Sequence, residues 1–118
     1  MVEAALCTAW EDPIPGREKQ ALNVYNEAMQ YWAGLQQEEK IERFDVTVLE
    51  LSGGEMAGFL VVRGTAKQID SVRRSKEYQQ HVARGQLVAS HLSVARAYVD
   101  EGLAQFMGWY QKVIERAR

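Results

Sequence analysis

Cysteine is almost missing from this chain. Cys7 stands alone, so no disulfide can form within it, and a reducing cytoplasm is the expected setting. Long apolar runs are missing too: no stretch approaches the roughly 18 residues that a membrane span needs, so no membrane partner is expected. The opening Met-Val-Glu-Ala-Ala-Leu carries an early acid and no basic segment, which predicts no signal peptide. Neither sign of charge dominates. Lys and Arg number 14 against 16 Asp and Glu, a net charge of −2, and the two signs are interspersed. Phosphate binding draws on clustered cations, so nucleic acid is not an expected partner. Histidine and asparagine are also scarce, present only as His81, His91, Asn23 and Asn26. Two histidines without a second cysteine or a well-spaced carboxylate make a poor metal site, and no zinc-protease or EF-hand pattern occurs. No metal and no cofactor are therefore expected.

What is present suits one domain. The 118 residues are 47% hydrophobic and 25% charged, ordinary for a globular chain that folds without staples. Ala4 to Trp10 is a short apolar run closed by Glu11-Asp12-Pro13-Ile14-Pro15-Gly16, which predicts a strand and then a loop. From Arg17 to Glu39 the apolar residues Ala21, Leu22, Tyr25, Ala28, Met29, Trp32 and Leu35 fall at helical spacing. Ile41 to Leu51 alternates: Phe44, Val46 and Val48 point one way, Arg43, Asp45 and Thr47 the other. Ser52-Gly53-Gly54-Glu55 predicts a reversal into a returning strand from Met56 to Arg63. That strand is apolar on both faces and so needs cover on both.

Thr65-Ala66-Lys67-Gln68 fits a capping box opening a second helix, with a break near Ser75 and Gly85 as its stop. A last strand is expected from about His91 to Val99, holding Leu92, Val94, Ala95, Ala97 and Tyr98. Asp100 then reads as the N-cap of a final helix with a stripe of Leu103, Phe106, Met107, Tyr110, Val113 and Ile114. The fold class is α+β, in the order β-α-β-β-α-β with an extra C-terminal helix. Two right-handed crossovers around a central hairpin give a four-stranded antiparallel sheet with both core helices on one face. The other face needs a cover: a second copy, or the final helix folded back.

That order, with Pro15-Gly16-Arg17-Glu18 at the first helix, resembles the dimeric α/β-barrel superfamily of ferredoxin-like domains. In motif it looks nearest to the antibiotic-biosynthesis monooxygenase-like proteins. Their second helix often carries Trp-x-Ser…Glu…His, and Arg73-Arg74-Ser75-Lys76-Glu77-Tyr78-Gln79-Gln80-His81 is similar, with Arg73 in the place of Trp. The resemblance implies a homodimer whose two sheets enclose a cavity, and His81 as a catalytic base or a haem ligand. It also implies a strand asparagine, whereas Asn23 and Asn26 both fall on the first helix.

The candidate site residues follow from these placements. His81 and His91 are the only side chains whose ordinary pKa suits proton transfer near neutrality. His91, at a strand edge, is placed to line a cavity mouth. Arg43, Asp45 and Thr47 lie on the sheet face away from the helices. Covered, they must pair, and an Arg43–Asp45 pair with Arg96 from the last strand would bind a polar or anionic ligand. The alternatives are a solvated outer face or a salt bridge between copies. Cys7 reads as a small buried hydrophobe, Trp32 as core, and Trp109 as lying off the last helix's stripe. The expectation is a small homodimeric protein binding a small apolar or aromatic ligand. The alternative that the resemblance brings is a cofactor-independent monooxygenase or isomerase acting on an aromatic or polyketide-like compound.

Overall fold

The computed structural model of the protein describes residues 1–50 and 54–117. Its elements are β1 (Ala4–Trp10), α1 (Glu18–Gln37), β2 (Arg43–Val48), β3 (Gly58–Gly64), α2 (Ala66–Arg74), α3 (Lys76–Val88), β4 (Ser93–Tyr98) and α4 (Asp100–Arg116). The strands form one antiparallel sheet in the order β2-β3-β1-β4. The first two residues of the expected Ser52-Gly53-Gly54-Glu55 reversal lie outside the described residues.

Register assigns every strand side chain to a face. Leu6 sits opposite Val62 on one side and Arg96 on the other, and Val62 sits opposite Phe44. Leu6, Leu60 and Val62 are buried under the helices with Trp32, Leu35, Ile69, Val72 and Tyr78, and Phe44 and Val46 pack at the edge of that cluster. Strand alternation then puts Cys7, Phe59, Val61, Arg63, Arg43, Asp45, Thr47, Ala95 and Ala97 on the outer face. The helix spacing of α1 is confirmed by the burial of Trp32 and Leu35, at 4% and 8% exposure.

The capping box is present. Thr65 Oγ1 accepts from the Gln68 amide, and the Gln68 side chain accepts from the Thr65 amide. The break at Ser75 is real as well: the Ser75 hydroxyl accepts from the Tyr78 amide and so starts α3. Gly85 does not stop that helix, which runs on to Val88. A Cβ at Gly85 would lie 2.8 Å from Leu92 Cδ1, so the glycine serves close packing of the next segment. Asp100 is not an N-cap either. Val99 is the residue before α4, no side chain caps the helix, and Asp100 is its first residue with φ +48°.

The final helix departs most from its expected surroundings. Its first turn is pinned to the residue before β1, because a Cβ at Gly102 would collide with the Glu3 carbonyl oxygen. Phe106 stacks on Tyr98, with ring centroids 4.3 Å apart. Beyond that the helix leaves the body, and the molecule measures 52 × 36 × 23 Å. Leu103, Met107, Tyr110, Val113 and Ile114 are 43–53% exposed in the single chain. Past its first two turns the helix therefore covers neither face of its own sheet.

Candidate functional site

Between α1, α3 and the helix face of the sheet lies a cavity of about 300 Å³. Trp10, Thr8 and Leu60 form its floor from β1 and β3. Tyr25, Met29 and Trp32 of α1 form one wall; Tyr78, His81, Val82 and Gly85 of α3 form the other. Residues 78, 81, 82 and 85 follow i, i+3, i+4, i+7 spacing, so one face of α3 supplies that whole wall. The size is at the lower end of ligand pockets and suits a molecule of one or two rings.

The mouth is laced shut on one side by backbone contacts between the loop after β1 and the loop after α3. Ile14 donates to Val88 at 2.9 Å, Glu11 to Ser90 at 3.0 Å, and Ser90 to Asp12 at 3.0 Å. Arg17 also donates to the Leu87 carbonyl. Glu11 lines the cavity and meets His91 Nδ1 at 2.9 Å, with the His91 side chain 79% exposed. His91 thus stands at the rim and reaches the cavity only through Glu11.

Two residues of the α3 wall carry unpartnered polar atoms. Tyr78 Oη and His81 Nδ1 are both buried, and among the described residues neither has a hydrogen-bond partner. Burial pushes the Tyr78 phenol above its ordinary pKa, with a smaller push from Tyr31, so it stays a donor. Burial also lowers the pKa of His81, partly opposed by Glu77. Its ring lies against Tyr31, centroids 4.4 Å apart. A neutral imidazole and a protonated phenol on one helix face offer an acceptor and a donor next to a mainly apolar chamber that Thr8, Glu11 and Glu18 also line.

The other anticipated residues go elsewhere. Arg43 and Asp45 do not pair: Arg43 meets Asp100 at 3.7 Å and Asp45 meets Arg63 at 3.2 Å. The cause is register, which sets Arg43 opposite Arg63 and leaves Asp45 as the neighbouring carboxylate. Arg96 points to the helix side, where it binds Asp70 at 2.7 Å and holds that carboxyl below the usual range. Thr47 shares the outer face with Arg43 and Asp45. Of the six anticipated residues, His81 alone lines the cavity. Tyr78 was missed, although its place three residues before His81 on one helix face was there to be read. A porphyrin is larger than this chamber and His81 is packed on Tyr31, so these residues do not fit a haem. Among the described residues no three His, Cys, Asp or Glu side chains form a group that could hold a metal ion. No described helix is long and apolar enough to cross a membrane.

Neither a protein-family model nor a curated protein matches the sequence. Solved structures do match in shape. One is a dimeric ferredoxin-like protein of unknown function from Thermobifida fusca, with TM-score 0.62, 9% identity, and coverage of 82% of this chain and 92% of that one. The fold is ferredoxin-like. A second ferredoxin-like match, a dimeric protein of unknown function from Jannaschia, has TM-score 0.60 at 12% identity, covering 82% and 98% of the two chains. SnoaB, a cofactor-independent oxygenase from Streptomyces nogalater, has TM-score 0.55 at 9% identity, covering 86% and 96%. Identities this low carry the ferredoxin-like fold and no activity.

Proposed function

We propose that this chain is a homodimeric module that holds a small apolar or aromatic molecule in the cavity between α1, α3 and the sheet. One observation carries the reading: an aromatic-walled chamber is lined by Tyr78 and His81, whose Oη and Nδ1 are buried without a partner among the described residues. Buried polar groups normally have partners, so two unpartnered ones on residues that line one chamber favour a ligand that draws them out and supplies the partners. The dimer is supported by the dimeric state of the ferredoxin-like proteins it resembles in shape. It is also supported by the outer sheet face, where Phe59, Val61 and Ala97 lie under no helix of their own chain. Arg43, Asp45 and Thr47 on that face are then contacts between copies, and a single cysteine suits a reducing cytoplasm. The test is thermal stabilisation by 2-naphthol. A saturable rise in melting temperature, weakened in Tyr78→Phe, supports the reading; no shift up to millimolar probe refutes it.

A second reading, enzymatic, rests on the neutral His81. As a base it would take a proton from an acidic hydroxyl or C–H of an aromatic, polyketide-like compound. Return of that proton at another carbon is isomerisation; capture of the carbanion by O₂ is cofactor-independent oxygenation, the activity named for SnoaB. Oxygen uptake on anthrone-type substrates is the assay. His81→Ala should remove most turnover, roughly 10²–10⁴-fold, and His91→Ala should leave it near native. Turnover that survives His81→Ala unchanged removes this mechanism.

A further inference from the structure

The exposed face of α4 is patterned for a particular neighbour. Leu103, Met107, Tyr110 and Ile114 are spaced four, three and four residues apart, the seam of a short coiled coil, and all stand 43–53% exposed. Most acid and base sits away from this seam: Glu101, Lys112 and Arg116 lie on the opposite face of the helix, and Asp100, at the seam's near end, pairs with Arg43. The 17-residue helix is about 26 Å long, and only its first two turns touch the body, through Gly102 and Phe106. Its outer half is therefore open to another molecule.

We propose that α4 pairs antiparallel with α4 of a second copy of this chain. The spacing reads the same from either end, which is what an isologous two-fold contact requires. With one helix turned end for end, Leu103 meets the partner's Ile114 and Met107 meets the partner's Tyr110. Between residues 103 and 114 no charge is buried by that register, and Asp100 lies beyond its end. With Val113 included, the stripe offers on the order of 500 Å² per copy, a large share of the roughly 800 Å² that one side of a standard interface contributes. A membrane surface fits less well: Asp100, Glu101 and Glu115 outnumber Lys112 and Arg116, so the helix lacks the cationic face that draws amphipathic helices to anionic lipid.

This contact is separate from the outer sheet face and from the cavity, so its failure leaves the ligand reading standing. Light scattering of the full chain at micromolar concentration reads it first. Wild type should weigh at least twice the 13.4 kDa of one chain, and Met107→Asp should halve the mass observed while far-ultraviolet circular dichroism keeps its helix signal. Cross-linking reads the register. In a Cys7→Ser background, the double variant Met107→Cys/Tyr110→Cys should oxidise to a covalent dimer, and Lys112→Cys, on the far face, should not. A monomeric wild type, or a mass unchanged by Met107→Asp, overturns the proposal. So does a fall in mass without the 107–110 cross-link, which would place α4 against some other surface of the partner.

Discussion

Replacing Tyr78 by Phe should stabilise the ligand-free protein, the reverse of what removing a buried hydroxyl usually does. Tyr78 is 5% exposed, and among the described residues its Oη is buried with no partner. A donor left unsatisfied in the interior costs about 1–3 kcal/mol, and the ring itself keeps its edge contact with Trp32 at 5.9 Å in either residue. Deleting the oxygen removes that cost and little else, so unfolding free energy should rise by about 1 kcal/mol. In a chain of this length that is roughly 3–6 °C in melting temperature. The hydroxyl should matter only when a ligand is bound. A hydrogen bond worth about 0.5–1.5 kcal/mol makes binding of 2-naphthol roughly 2- to 12-fold weaker in Tyr78→Phe. Urea unfolding followed by tryptophan fluorescence gives the first quantity, and a fluorescence titration of the probe gives the second. A variant destabilised by 1 kcal/mol or more would show that the hydroxyl serves the fold, and the site would lose the feature that marks it.

Other positions give independent checks. Gly102→Ala places a methyl on the Glu3 carbonyl oxygen, so the first turn of α4 must shift; a loss of about 1–3 kcal/mol is expected by urea unfolding. Burial depresses the His81 pKa, so the unfolded state binds the extra proton first. Stability should therefore fall as pH drops below the ordinary value of 6.5, and His81→Leu should flatten that part of the curve. Asp70 is held low chiefly by its hydrogen bond to Arg96, so its contribution is present above the ordinary carboxylate range and lost as pH falls through its depressed pKa. Asp70→Asn should remove that part of the acid limb in a pH series of urea midpoints.

Much of the fold was legible because local signals agreed with one another. The apolar spacing of α1, the reciprocal cap of Thr65 and Gln68, the break at Ser75 and the alternation of β2 each have a local cause. Where the sequence misled, the cause lay at long range. Gly85 looks like a stop signal, yet a side chain seven residues on needs its space. Arg43 and Asp45 share a face, but the neighbouring strand offers Arg63 to Asp45, and the start of α4 brings Asp100 to Arg43. Periodicity showed that α4 has an apolar side and could not show that its own chain leaves that side bare. The site was half legible. His81 stood out by its chemistry, whereas Tyr78 has an ordinary phenol that becomes a site residue only through what fails to surround it.

The claim at the centre is that a small aromatic molecule enters between α1, α3 and the helix face of the sheet. Two-dimensional NMR of labelled protein titrated with 2-naphthol tests it most directly. The account predicts saturable shifts at the indole N–H groups of Trp10 and Trp32 and at the Gly85 amide, with the outer-face amides of Cys7 and Val61 left in place. Shifts confined to the outer face, or none that saturate, would contradict it.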